Sequence, residues 1–165
     1  MCAARIEVVQ ELLRDLLPGM VQRAVEAGAT FVRGGRRIDS GFVYEPTILT
    51  SVDPGTEIAQ EEVFGPVLAV IPFDDEGDAV RIANNSRYGL SGSVHTADEE
   101  PALRVARRIR TGTFLVNGGS YYTPDGPFGG YKQSGVDWES GRAGLGEFLE
   151  GKSLAQVVVS PDGQL

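Results

Sequence analysis

Apolar residues near the start of the chain recur with the period of an α-helix. Four of them share one predicted helix face, with charged residues on the others: Ile6, Val9, Leu13 and Leu16. We expect Pro18 and Gly19 to break or kink this helix, because proline lacks an amide donor and crowds the preceding turn. A second helical stretch is predicted over residues 20–27, with Gly28 just past its end, where a left-handed conformation favours glycine.

Short runs rich in apolar and β-branched residues predict the first strands. Thr30–Arg33 is one candidate. Residues 42–49 form a second, which Pro46 interrupts, as is typical of an edge strand or a strand end. Residues 67–73, with the sequence VLAVIPF, form a continuous apolar run. Its length and β-branched content predict a buried strand.

Helices and strands then alternate along the chain. Asp74 or Asp75 is expected to cap a helix, and a strand is predicted over residues 89–94. Pro101 suits the first turn of the next helix, and residues 113–116, with the sequence TFLV, predict another short buried strand. This alternation predicts an α/β fold with a mainly parallel open sheet and flanking helices.

The last third of the chain has a different character. Residues 117–135 are rich in glycine and aromatic residues and are predicted to form one long loop. Loops of this length in a compact domain are usually functional. A short helix is expected around residues 143–149. Residues 154–159, with the sequence LAQVVV, predict a C-terminal strand with no obvious partner in the chain.

Composition restricts the classes of partner. The chain has 165 residues, and its 41% hydrophobic and 23% charged residues are typical of a globular protein. A net charge of −8 argues against nucleic acid and anionic membrane surfaces as partners. No apolar run approaches the ~20 residues that span a bilayer. The first residues do not resemble a signal peptide, so we expect a cytoplasmic protein.

Candidate nucleophiles and metal ligands are few. Cys2 is the single thiol and His95 the single imidazole, so an internal disulfide is excluded. We interpret Cys2 as an unreactive residue at the chain end and His95 as a polar residue at the end of a strand. One cysteine and one histidine cannot form a zinc site, and no metal site is predicted.

Two features carry candidate binding chemistry. Glu61 and Glu62 precede Phe64, either as a charged helix end or as a carboxylate that binds paired sugar hydroxyls beside an aromatic ring. The loop aromatics Tyr122 and Phe128 either line an apolar pocket or cover the core of their own domain. The residues by themselves leave both alternatives open.

Four motifs occur together in this chain. They are EEVFGPVLAVIPFDD at 61–75, ANNSRYGLSGSV at 83–94, GTFLVN at 112–117 and PFGGYKQSG at 127–135. In order and spacing, the set resembles the NAD(P)-dependent aldehyde dehydrogenase superfamily over about residues 20–156.

The resemblance implies roles for individual residues. Glu62 corresponds to the glutamate that bonds the nicotinamide ribose, and Phe64 to the aromatic residue that packs near the nicotinamide. Asn117 corresponds to an asparagine that supports the active-site scaffold. Tyr122 and Phe128 correspond to aromatics that line the aldehyde tunnel. The implied cofactor is NAD or NADP, and the implied substrate is an aldehyde.

The resemblance also implies an organisation. Residues 1–151 correspond to part of the family's catalytic domain, and residues 152–165 to a C-terminal strand that pairs with a neighbouring subunit in a homo-oligomer. Nothing in this sequence matches the family's dinucleotide-binding domain, general-base glutamate or nucleophilic cysteine, all of which lie upstream in the family. Because the family reaction needs that thiolate, we expect the chain alone to be inactive. The alternatives are a non-catalytic oligomerisation or interaction module, and a small-ligand binder.

Overall fold

The computed structural model of the protein describes residues 16–38, 43–119 and 123–156. Its contacts divide the chain into two compact units, Met1–Arg87 with Arg107–Ile109, and Tyr88–Ala106 with Arg110–Leu165. No helix in the described part of the chain is long and apolar enough to cross a bilayer.

Short strands and helices alternate along both units. The helices are α1 over residues 16–26, α2 (Glu57–Gln60), α3 (Glu76–Asn84), α4 (Glu99–Ala106) and α5 (Gly141–Gly146). The strands of the first unit are β1 (Thr30–Arg33), β2 (Arg37–Ile38), β3 (Val43–Tyr44), β4 (Thr47–Thr50) and β5 (Val67–Ala69). Those of the second are β6 (Tyr88–Gly89), β7 (Ser91–Val94), β8 (Thr113–Val116), β9 (Phe128–Gly129), β10 (Tyr131–Lys132) and β11 (Trp138–Glu139).

Helix α1 packs one face onto the core of the first unit. Leu17, Val21 and Ala24 lie on this face and are buried. The described helix includes Pro18, so the predicted break there is wrong, and the alternative, a kink, stays a prediction. Burial of the three side chains stabilises the helix on both sides of the proline. The predicted end is confirmed, since Gly28 follows α1 with a φ of 104°.

The core sheet of the first unit has the order β1-β4-β5, antiparallel between β1 and β4 and parallel between β4 and β5. Pro46 directly precedes β4, which is the central strand, so the strand-end prediction is right and the edge-strand alternative is wrong. Proline is tolerated there because it lies outside the ladder of hydrogen bonds.

Strand β5 buries only one of its faces. Val67 and Ala69 pack against the core, whereas the side chain of Leu68 between them is 58% exposed. Val70 and Phe73, which follow, are also exposed. The prediction of a fully buried strand over residues 67–73 is therefore wrong for this chain, because no described element covers the second face of the sheet.

The second unit contains the predicted βαβ arrangement. Strands β7 and β8 pair in parallel, and α4 connects them, with Ala102 completely buried. Pro101 lies in the first turn of α4, as predicted. In the first unit, the cap predicted for α3 is also confirmed, because the Asp75 carboxylate accepts a hydrogen bond from the Asp78 amide at 2.8 Å.

The α/β class is confirmed, but the single, mainly parallel sheet is not. Besides the parallel pairs β4-β5 and β7-β8, the described strands form antiparallel pairs, namely β1-β4, β2-β3, β6-β10 and β9-β11. Residues 128–129 and 131–132 of the predicted loop over 117–135 thus belong to short ladders. Glycine makes these pairings possible, since a Cβ on Gly129 would lie 2.7 Å from the Trp138 ring.

The predicted C-terminal strand is partly within the described residues. Residues 154–156 form no strand, and Leu154 is 88% exposed. The remainder of the predicted strand, residues 157–159, lies outside the described residues, as do residues 1–15 with Cys2. The predicted domain boundary between residues 151 and 152 stays a prediction.

Candidate functional site

The segment between α2 and β5 has two neighbouring carboxylates, one of which forms an ion pair with an arginine. Glu61 ends α2, and its Oε1 lies 2.7 Å from an Nη atom of Arg87. The side chain of Glu62 is exposed, and its carboxylate has no hydrogen-bond or ion-pair partner among the described residues. The structure therefore leaves Glu62, the residue predicted to bind ribose, available for a ligand with paired hydroxyls.

Phe64 lies two residues further on in a left-handed conformation. Its φ is 52°, and its side chain is 71% exposed. This conformation costs a residue other than glycine about 1–3 kcal/mol, and such residues cluster at ligand-binding sites. Nearby, the amide of Thr47 donates to the Pro66 carbonyl at 2.8 Å, which secures the far end of the segment. The exposed ring offers an apolar face close in sequence to the Glu62 carboxylate.

In the second unit, Asn117 links the carboxyl ends of β7 and β8 by hydrogen bonds. It follows β8 with a φ of 50°, and its amide donates to the Val94 carbonyl at 2.9 Å. Its side-chain Oδ1 accepts a hydrogen bond from the Thr96 amide, also at 2.9 Å. In α/β sheets, ligands bind at the carboxyl ends of parallel strands. The bonds of Asn117 therefore organise the edge at which a site is expected.

Phe128 is half-buried in β9, where it lies opposite Glu139 of β11. Its neighbour Gly129 packs beneath Trp138, and the Trp138 ring meets the Tyr131 ring edge-on at 6.3 Å between centroids. The other predicted tunnel aromatic, Tyr122, lies outside the described residues.

The predicted site residues fall into two groups. Glu62 and Phe64 belong to the first unit, and Asn117 and Phe128 to the second. Within the described ranges, no three histidine, cysteine, aspartate or glutamate side chains are grouped to hold a metal ion. His95 is exposed beside Thr96.

Sequence reasoning missed the side chains that hold the Glu62 segment. Gln60 donates through Nε2 to the carbonyls of Pro54 and Asn85, each at 2.6 Å, and Arg87 pairs with Glu61. Gln60 directly precedes the EEVFGP motif, and Arg87 lies within the ANNSRYG motif. Their places next to or within these motifs are the signal that could have identified them.

Sequence comparison gives a consistent family assignment. The profile of the aldehyde dehydrogenase family matches residues 8–154. The chain is 43% identical over 145 residues to a putative aldehyde dehydrogenase of Staphylococcus saprophyticus and, equally, to one of Staphylococcus aureus. Each match covers 86% of this chain and 30% of the relative, so the chain spans less than a third of the length of these relatives.

Solved structures agree with the sequence comparison. Mycobacterium tuberculosis aldehyde dehydrogenase complexed with NAD+ superposes with a TM-score of 0.78 and 45% identity, over 84% of this chain and 29% of that one. For betaine aldehyde dehydrogenase from Staphylococcus aureus in complex with NAD+, the TM-score is 0.76 and the identity 41%, over 82% of this chain and 28% of that one. The fold, the motifs and both comparisons confirm the prediction from sequence, and the chain belongs to the aldehyde dehydrogenase family.

Proposed function

We propose that this chain is the C-terminal portion of an oxidoreductase that converts an aldehyde to a carboxylic acid with NAD or NADP. Its part would be to supply Glu62 and Phe64 to the cofactor site. The observation that carries the proposal is the contrast between neighbouring carboxylates. Arg87 neutralises Glu61, whereas Glu62 is exposed and has no described partner. A carboxylate beside an aromatic ring suits the ribose and nicotinamide of such a cofactor.

The chemistry divides between the cofactor and the protein. When bound, the nicotinamide accepts a hydride from the aldehyde carbon. Glu62 would accept hydrogen bonds from ribose hydroxyls, and the ring of Phe64 would pack near the nicotinamide. Asn117 would support the active site by joining the ends of β7 and β8, and Phe128, with Tyr122, would line the aldehyde tunnel. We propose cytoplasmic location and homo-oligomerisation through residues 152–165.

We further propose that the chain alone does not oxidise aldehydes. Oxidation in this family requires a thiolate that adds to the carbonyl and a base that activates water. This sequence matches neither residue of the pair in the family's motifs, and its single cysteine, Cys2, lies outside the described residues. With NAD, NADP and a panel of aldehydes, the chain alone should therefore form no NADH or NADPH above background. Robust turnover would refute this part of the proposal.

A chimera tests the cofactor role directly. In it, this chain replaces the matched segment of the Staphylococcus saprophyticus relative, which supplies the remainder of that protein. Glu62→Gln in the chimera should raise the KM for the dinucleotide about ten-fold, because hydrogen bonds to a charged acceptor contribute about 1.5–3 kcal/mol. Glu45→Gln, which removes a carboxylate elsewhere in the same unit, is the matched control. An unchanged KM in the Glu62→Gln variant would refute the assignment of Glu62.

A non-catalytic interaction module is the second candidate. The observation in its favour is apolar exposure in both units, where Leu68 is 58%, Phe148 87% and Leu154 88% exposed. Exposed apolar patches commonly mark interaction surfaces. Size-exclusion chromatography of the chain with and without residues 152–165 tests this candidate, which predicts that the full form self-associates and the shortened form does so less. Monomeric behaviour of both forms would contradict it.

A further inference from the structure

Two anchored residues stand immediately before Glu62. The Nε2 atom of Gln60, the last residue of α2, lies 2.6 Å from the Pro54 carbonyl and 2.6 Å from the Asn85 carbonyl. Asn85 is the residue that ends α3. The side-chain amide therefore ties the end of α2 both to the turn before it and to the end of α3.

The next residue, Glu61, is anchored in a second direction. Its backbone amide donates to the Glu57 carbonyl at 2.8 Å, and its carboxylate pairs with Arg87 at 2.7 Å. Arg87 lies two residues beyond Asn85 along the chain. Two consecutive residues before Glu62 are thus bound to one short stretch after α3. At the other end of the segment, the Thr47 amide holds Pro66.

The Gln60 anchor uses up both donors of its side-chain amide, and the Arg87 anchor occupies the carboxylate next to Glu62. Both protons of the Gln60 side-chain amide go to backbone carbonyls, which leaves it no donor for a cofactor. The Arg87 guanidinium is bound to the carboxylate beside Glu62 and so keeps that carboxylate from competing for the same hydroxyls.

We propose that Gln60 and Arg87 are positioning residues that hold the segment 62–66, so that the Glu62 carboxylate is oriented before the cofactor binds. This inference rests on the proposed cofactor role of Glu62. It explains in physical terms why the EEVFGP and ANNSRYG motifs occur in the same chain, since residues next to one bond residues of the other. A ligand contact that is oriented in advance loses less conformational freedom on binding.

The first test measures order in the 165-residue chain without any ligand. Backbone 15N relaxation of residues 62–65 reports motion on the picosecond-to-nanosecond timescale. In Gln60→Met and Arg87→Gln, order parameters there should fall from about 0.85, typical of rigid backbone, towards about 0.6. The matched controls are Gln22→Met and Arg81→Gln, which break the exposed pairs Gln22–Glu26 and Arg81–Asp78. Unchanged order parameters in both test variants would overturn the proposal.

The second test measures the consequence for the cofactor in the chimera. Arg87→Gln should raise the KM for the dinucleotide about two- to five-fold, the range expected for an exposed ion pair. The kcat and the aldehyde KM should not change, since Gln60 and Arg87 would affect cofactor binding and not the chemical step. The charge exchange of Glu61→Arg with Arg87→Glu should restore the dinucleotide KM. High salt should raise the dinucleotide KM of the unmodified chimera but not that of the Arg87→Gln variant, because salt screens exposed ion pairs.

The outcomes separate the two proposals. If Glu62→Gln leaves the dinucleotide KM unchanged, the proposed function fails, and the relaxation experiment still decides whether Gln60 and Arg87 hold the segment. If Glu62→Gln raises the KM but Gln60→Met and Arg87→Gln do not, the cofactor role stands and the positioning role is wrong. A fall in kcat with an unchanged dinucleotide KM would also overturn the positioning role.

Discussion

The hydroxyl of Thr47 joins three parts of the first unit. The side chain is 1% exposed and belongs to β4, the central strand of its sheet. Its Oγ1 accepts a hydrogen bond from the Gly35 amide at 2.8 Å and donates one to the Glu45 carbonyl at 2.8 Å. The replacement Thr47→Val keeps the size and branching of the side chain and removes both bonds.

The expected loss of stability follows from these two bonds. Each intramolecular hydrogen bond contributes about 0.5–1.5 kcal/mol, and a backbone group left without a partner in a buried place costs about 1–3 kcal/mol. Both contacts are only partly buried, so water can compensate in part. We therefore expect Thr47→Val to lower the free energy of unfolding by about 2 kcal/mol. The midpoint of thermal unfolding should fall by roughly 4–8 °C.

Thr47→Ser separates the hydroxyl from the methyl group. Serine keeps both hydrogen bonds and loses one buried methyl group, which should cost about 1 kcal/mol. Thr56→Val is a control, because the Thr56 hydroxyl donates at 2.7 Å to the Asp53 carbonyl in an exposed turn. Urea unfolding followed by circular dichroism should rank the wild type above Thr47→Ser, and Thr47→Ser above Thr47→Val. A valine variant as stable as the serine variant would show that the hydroxyl does not hold this region.

Substitutions at three further positions test the packing of the two units. Gly112→Ala should lower the thermal midpoint sharply or abolish folding of its unit, because a Cβ there would overlap the Gly129 carbonyl oxygen, a backbone atom that cannot move aside; an unchanged midpoint would contradict this packing. Asn117→Ala should cost about 1–2 kcal/mol in urea unfolding and Asn117→Gly less, because glycine tolerates the φ of 50° and both lose the bond to Thr96; equal losses would argue against backbone strain. Tyr44→Phe should raise the free energy of unfolding near neutral pH by about 1 kcal/mol, because the Tyr44 hydroxyl is buried with no partner among the described residues. Burial also raises the pKa of Tyr44, and the nearby Thr47 hydroxyl opposes this rise less strongly. The stability that a raised pKa contributes is intact below about pH 10 and is lost as the pH rises further, so the Tyr44→Phe protein should lose less stability than the wild type above that pH.

Local signals and recognised motifs were sufficient for much of this protein. Asp75 caps α3, Pro101 opens α4 and Gly28 follows α1, all as predicted, because a cap or a turn depends on a few neighbouring residues. The four motifs identified the family for a similar reason, since each is short and contiguous. The residues they assign, including Glu62 and Asn117, follow from position within a motif and need no knowledge of the fold.

Burial and strand order depended on the tertiary structure. The segment 67–73 has the composition of a buried strand, yet exposure of Leu68 is decided by what covers the second face of the sheet. Pro46 marks a strand end in any arrangement, but only pairing with both β1 and β5 makes β4 central.

The sequence by itself determined the family, the local caps and the candidate carboxylate. Only the tertiary structure decided which of the two adjacent carboxylates forms an ion pair with Arg87. Glu61 meets Arg87 across a separation of 26 residues, and Gln60 meets Asn85 across 25. Contacts at such separations form when α2 and the end of α3 pack in one unit, and no periodicity or motif spacing encodes that distance.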